Sequence, residues 1–125
     1  MDYHVDAKNK VLGRLASEIS LMLQGKKHPN YAANCVSGDR VYVKNYAHVA
    51  VTGKKLVQKV YYHHTGYVGH LKETRLEERL AKNPKKAIRE AVRKMLPRNF
   101  LNQRRLRHLI FIEEGQRSKV ESKKS

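Results

Sequence analysis

The segment that decides the fold is Tyr3–Gly25, YHVDAKNKVLGRLASEISLMLQG. Its opening, Tyr3 to Ala7, reads as a short strand. Val11, Leu12, Leu15, Ala16, Ile19 and Leu23 then recur at the spacing of one helix face, and Gly25 ends that helix. Outward from it, Gly25–Asp39 is a loop punctuated by Pro29 and a Ser-Gly-Asp turn. RVYVKN, Arg40–Asn45, alternates and is rich in β-formers, so a second strand follows. The leading unit is therefore strand–helix–strand. HVAVTG (His48–Gly53) and KVYYHH (Lys59–His64) read as further extended pieces, and TGYVGHLKE (Thr65–Glu73) as a loop.

The second half is helical until its end. Thr74 with Glu77 has the form of a capping box, which predicts a helix running through Leu80. Asn83-Pro84 starts another, with proline in the first turn, where its missing N–H costs nothing. On that helix Ala87, Ile88, Ala91, Val92 and Met95 share one face, and Lys86, Arg89 and Arg93 the opposite one. Pro97 stops it. Asn99–His108 reads as a third basic helix, and LIFIE (Leu109–Glu113) as a buried strand. A late strand after helices, added to the leading unit, argues for an α/β fold. The expectation is a single domain over residues 1–115, with a small central, mostly parallel sheet flanked by helices. Residues 116–125 form a flexible basic tail. There is no internal repeat.

Charge limits the function. Of 125 residues, 27 are Lys or Arg and 11 Asp or Glu, a net +16. Such an excess repels itself and is best tolerated beside a polyanion. Arg40 to Lys72 holds no acid at all, and from Lys85 to Arg107 nine basic residues face Glu90 alone. No apolar run approaches the ~20 residues of a membrane span. The single Cys35 forms no internal disulfide and builds no cysteine zinc site, which fits a reducing compartment. With no signal or transit pattern in MDYHVDA, the reading is cytoplasmic.

The stretch VYYHHTGYVG, Val60–Gly69, concentrates the candidate chemistry. Neighbouring strand residues point opposite ways, so His63 and His64 do not share one metal, and no paired ligand spacing occurs. For the same reason one of Tyr61 and Tyr62 should pack inward and the other face out. Gly66 and Gly69 let backbone approach a phosphate, and Thr65 adds a hydroxyl donor; Lys54, Lys55, Lys59 and Lys72 surround them. A lone G-x-x-G is weak on its own. A two-metal nuclease needs clustered carboxylates, which this region lacks; Glu77, Glu78, Glu113 and Glu114 lie on elements that read as structural. Cys35, alone beside a turn, is expected to be a small buried hydrophobe. The runner-up functions are a nucleic-acid-processing enzyme and a free-standing regulator of messenger RNA.

VDAKNKVLGRLASEIS, SGDRVYVKN, VAVTGKK, KVYYHHTGYVG and AVRKMLPRN occur in that order. They resemble successive blocks of the bacterial form of large-subunit ribosomal protein thirteen. YYHHTG followed by MLP some thirty residues later is the specific part. The resemblance implies an α/β fold with about four central strands, binding to large-subunit ribosomal RNA, early entry into assembly and contact with neighbouring ribosomal proteins. It implies no cofactor, no catalytic residue and no small-molecule substrate. An organellar ribosome is the less favoured setting. The expected RNA-contacting residues are Lys26, Lys27, Lys44, Lys54, Lys55, Lys59, Tyr61, His63, His64, Thr65, Gly66, Gly69, Lys72, Lys86, Arg89, Arg93, Lys94, Arg98, Arg104, Arg105 and Arg107. The chain departs from the family pattern at Lys94, where a glycine usually precedes MLP, at Leu101–Gln103, at His70 after Gly69, and beyond Gly115.

Overall fold

The leading unit forms as its pattern requires. In the computed structural model, which describes residues 2–113, β1 (Asp2–Asp6) leads into α1 (Leu12–Gln24) and then β2 (Arg40–Lys44). β1 and β2 pair in parallel from Asp2↔Arg40 to Asp6↔Lys44. β5 (Leu109–Phe111) adds in parallel on the far side of β2, giving a three-stranded sheet in the order β1-β2-β5. Between β2 and β5 lie a tight helical turn (Tyr46–His48), α2 (Lys55–Gln58), β3 (Val60–His64), β4 (Leu71–Arg75), α3 (Leu76–Lys82), α4 (Pro84–Met95) and α5 (Leu101–Arg107). The expected basic tail lies outside the described residues.

The pleat divides the sheet cleanly. Tyr3, Val5, Val41, Val43, Leu109 and Phe111 point to one face, where they meet Leu15, Ile19 and Leu23 of α1 and Ile88 and Val92 of α4. Both crossovers advance in the same direction across the sheet, so right-handed connections put their helices on that one face. The other face carries His4, Tyr42 and Lys44, with the His4 ring stacked on Tyr42 at 5.1 Å. Gly25 closes α1 at φ 76°, and its N–H donates to the Met22 carbonyl at 3.1 Å. A Cβ there would lie 2.6 Å from that of Ser37, so both conformation and space require glycine. Asn83 caps α4 as predicted, its Oδ1 accepting the Lys86 N–H at 3.2 Å, with Pro84 in the first turn.

Five local expectations give way to tertiary structure. KVYYHH is a strand, but it pairs antiparallel with Leu71–Arg75 as a separate hairpin instead of joining the central sheet. Thr74 therefore sits opposite Tyr61 in β4 and caps nothing; α3 begins after Arg75, and its first-turn Glu77 and Glu78 favour the positive end of the helix. HVAVTG contributes only His48, the last residue of the tight turn, and a single parallel bridge, Val11↔Ala50. Cys35 is exposed, and Met95, expected on the core face, is 42% exposed at the end of its helix.

Candidate nucleic-acid interface

The β3–β4 hairpin has two unlike faces. Residues opposite one another in an antiparallel pair share a face. Tyr61 with Thr74, and His63 with Lys72, therefore share one face, while Tyr62 with Glu73, and His64 with Leu71, share the other. Tyr61 packs against the core as the inward tyrosine, and Tyr62 is 64% exposed. The Tyr61 ring is the hub of a charged cluster. The Arg79 guanidinium lies 4.0 Å from its centroid, and the Lys59 and Lys94 ammonium groups lie 5.4 Å away. Arg79 is ion-paired with Glu90, whose other oxygen is 3.6 Å from Lys94 Nζ.

Beside this cluster the hairpin and the helices leave a groove of about 780 Å³. Its walls are Tyr62, His63, Lys72 and Thr74 on one side and Arg79, Lys82, Asn83, Lys86, Glu90 and Arg93 on the other. Five lysines and arginines thus face one carboxylate. A second hollow of about 280 Å³ continues it past Arg89 to Leu106. Concave, like-charged walls focus the potential and favour an anionic partner.

The structure gathers part of the expected residue set. His63, Lys72, Lys86 and Arg93 meet in the groove, and Arg89 borders its continuation. Lys55, Lys59 and Lys94 line a smaller cleft over α1 and α4, and Lys54 is exposed. Others stand apart. Lys44 lies on the sheet face away from the helices. Lys26 and Lys27 follow α1, over the rings of Tyr31 at 5.9 Å and Tyr3 at 5.4 Å. Arg98, Arg104 and Arg107 are exposed near α5. Arg105 is 1% exposed, its Nη2 donating to the Ala33 carbonyl at 3.3 Å, so it holds the 25–39 loop against α5 and is not a surface cation.

The hairpin tip is closed on itself. Gly66 and Gly69 adopt φ of 91° and 76°, where glycine is favoured. The Gly66 N–H donates to His64 Nδ1 at 3.0 Å, and the Thr65 hydroxyl to the His70 carbonyl at 3.1 Å. Both donors shape the loop before they could meet any phosphate. With Nδ1 accepting, neutral His64 carries its proton on Nε2, on an exposed side chain.

Two cationic groove residues, Arg79 and Lys82, are absent from the expected set. The sequence carried one signal for them: Arg75, Arg79, Lys82, Lys86, Arg89 and Arg93 follow one another at alternating steps of four and three. The break at Asn83 hides that stripe, because it separates two helices. Among the described residues no group of three or more His, Cys, Asp or Glu is placed to hold a metal ion. No helix of the described residues is long and apolar enough to cross a membrane.

Comparison with known proteins identifies the pattern. The profile of a family described as Ribosomal protein L13 matches residues 1–117. The large ribosomal subunit protein uL13 of Buchnera aphidicola subsp. Schizaphis graminum is 47% identical over 114 residues, covering 90% of this chain and 80% of the relative. The proteins of the same name from Desulfotalea psychrophila and Nitratidesulfovibrio vulgaris are each 50% identical, over 107 and 105 residues. Those alignments cover 86% and 84% of this chain, and 75% and 73% of the relatives.

Proposed function

From the chain's membership of the ribosomal protein L13 family, we propose that it is a structural, non-catalytic component of the large ribosomal subunit, as its relatives are named. It binds large-subunit ribosomal RNA, joins early in assembly, contacts neighbouring ribosomal proteins and resides in the cytoplasm. The observation that carries the RNA reading is the groove between hairpin and helices, with five cationic side chains against Glu90. Its mechanism is neutralisation and positioning. Exposed Lys72, Lys82, Lys86, Arg89 and Arg93 screen phosphates, while the hairpin, α3 and α4 fix the backbone positions from which those side chains reach.

The test is residence. A tagged chain should co-sediment with assembled large subunits and remain there after a high-salt wash; a free-standing regulator of messenger RNA would be stripped off. In isolation, binding to a large-subunit RNA transcript should weaken steeply with salt. If about six phosphates are neutralised, log K falls with log salt at a slope of roughly −4 to −5. A slope near zero removes the electrostatic account.

A further inference from the structure

Arg79 differs from every other cation of the groove. Lys72, Lys82, Lys86 and Arg93 are exposed side chains on flexible stems. Arg79 is 21% exposed and fixed on two sides: Tyr61 covers the face of its guanidinium, and Glu90 takes Nη1. Both supports are themselves fixed. Tyr61 is packed against the core, and Glu90 stands on the middle of α4 with Lys94 on its second oxygen. A guanidinium has five N–H donors in a rigid fork, so one carboxylate leaves others unused. Arg79 borders both hollows of the groove.

Resting on the RNA-binding reading, we infer that Arg79 determines the register of RNA in this groove. Its open edge grips one phosphate bidentately, with Tyr61 and Glu90 as positioning residues. The lysines supply attraction that any polyanion shares. Arg79 supplies direction, because its fork accepts a phosphate in one plane and has little motion left to lose on binding. Glu90 sharpens this. It is the only acid between Lys85 and Arg107 and repels phosphate from its own side of the groove. One permitted place remains, at the far edge of Arg79.

The experiment compares two probes on the full chain: a bacterial large-subunit ribosomal RNA transcript and polyuridylate, at the same salt. The measured quantity is the preference for the first over the second. Arg79→Lys keeps the charge and removes the fork, and should lower the preference about tenfold, the worth of one charge-assisted hydrogen bond lost from the fork. Lys86→Ala should weaken both probes together and leave the preference in place. Tyr61→Leu and Glu90→Gln reach the same guanidinium from either side, so the test stands even if Arg79→Lys does not fold. Each should lower the preference, and Glu90→Gln should also strengthen polyuridylate binding. A purely structural role would lower the melting temperature of these variants and leave the preference of the folded fraction unchanged, which overturns the inference. So does an equal loss on both probes with Arg79→Lys. A wild-type chain that binds neither probe at low salt would instead overturn the RNA-binding reading itself.

Discussion

The central sheet and the β3–β4 hairpin are held together by different physics. β1, β2 and β5 press Val5, Val41, Val43 and Leu109 onto Leu15, Ile19, Ile88 and Val92, all buried. The hairpin contributes only half-buried Val60, Tyr61, Thr65 and Thr74 among its residues and has no third strand. A lone two-stranded pair is marginal in water. Its attachment runs through the Tyr61 ring, the Arg79 guanidinium that lies over it and pairs with Glu90 of α4, and Leu76, buried in the core directly after β4. The sheet region therefore sets global stability, and the hairpin can loosen locally while the rest stays folded. The candidate interface lies on the seam between the two.

The largest effect should come from emptying the sheet region. Ile88→Ala removes a fully buried side chain and should cost about 2–5 kcal/mol in urea unfolding. Arg89→Ala, one residue on and exposed, should stay within about 0.5 kcal/mol of wild type. It should weaken RNA binding instead. A silent Ile88→Ala, or an unfolded Arg89→Ala, would mean that α4 presents the opposite faces.

A smaller, local effect should come from the hairpin tip. Gly66 sits at φ 91°, and a Cβ there would meet nothing within 4 Å, so Gly66→Val is opposed by backbone strain and not by a clash. Strain of this kind costs about 1–3 kcal/mol. Amide exchange should accelerate in residues 60–75 and hardly change in β1 and β2. RNA binding should fall, more than with His63→Ala or His64→Ala. Uniform acceleration through the sheet would show that hairpin and core unfold as one unit, and the physical difference between the two regions would vanish.

The sequence made the sheet region legible because there local and tertiary preferences agree. Alternation in Arg40–Asn45, helical spacing from Val11 to Leu23, and Asn83-Pro84 each specify an element that packing then uses. The family blocks were equally readable, and residues 1–117 match them. Around the hairpin the two levels part. LKETR has no apolar alternation, and it becomes a strand only because β3 lies opposite it. That pairing absorbs Thr74, which local grammar had assigned to a cap. Arg105 looked like one more basic residue, yet it shares the buried side of α5 with Leu101, four positions earlier. Arg79 gained its fixed position from Tyr61 and Glu90, eighteen and eleven residues away, which no local pattern connects. Lys94, a departure from the family pattern, reaches that same Glu90.

The smallest effect tests charge in the sheet region, where it should matter least. Lys85, at the start of α4, donates to Glu113, just beyond β5, at 2.7 Å, and its ammonium lies 5.1 Å from the Tyr46 ring centroid. The bond to Lys85 holds the Glu113 carboxyl below its ordinary value of 4.5. The same bond lifts Lys85 above its ordinary 10.5. A depressed carboxylate stabilises the fold fully above pH 4.5, and that contribution is lost as pH falls through the lower folded value. A raised ammonium does the reverse, stabilising fully below pH 10.5 and losing its contribution as pH rises through the higher folded value. The difference in urea midpoint between wild type and Glu113→Gln should thus be level across neutral pH and close as the solution is made acid enough to protonate Glu113, or alkaline enough to discharge Lys85. Both partners are well exposed, so the level part should be small beside the Ile88→Ala effect. A difference that persists unchanged in acid would mean that Glu113 acts through packing. Charge would then be dispensable where α4 meets the end of β5, in contrast to the hairpin seam.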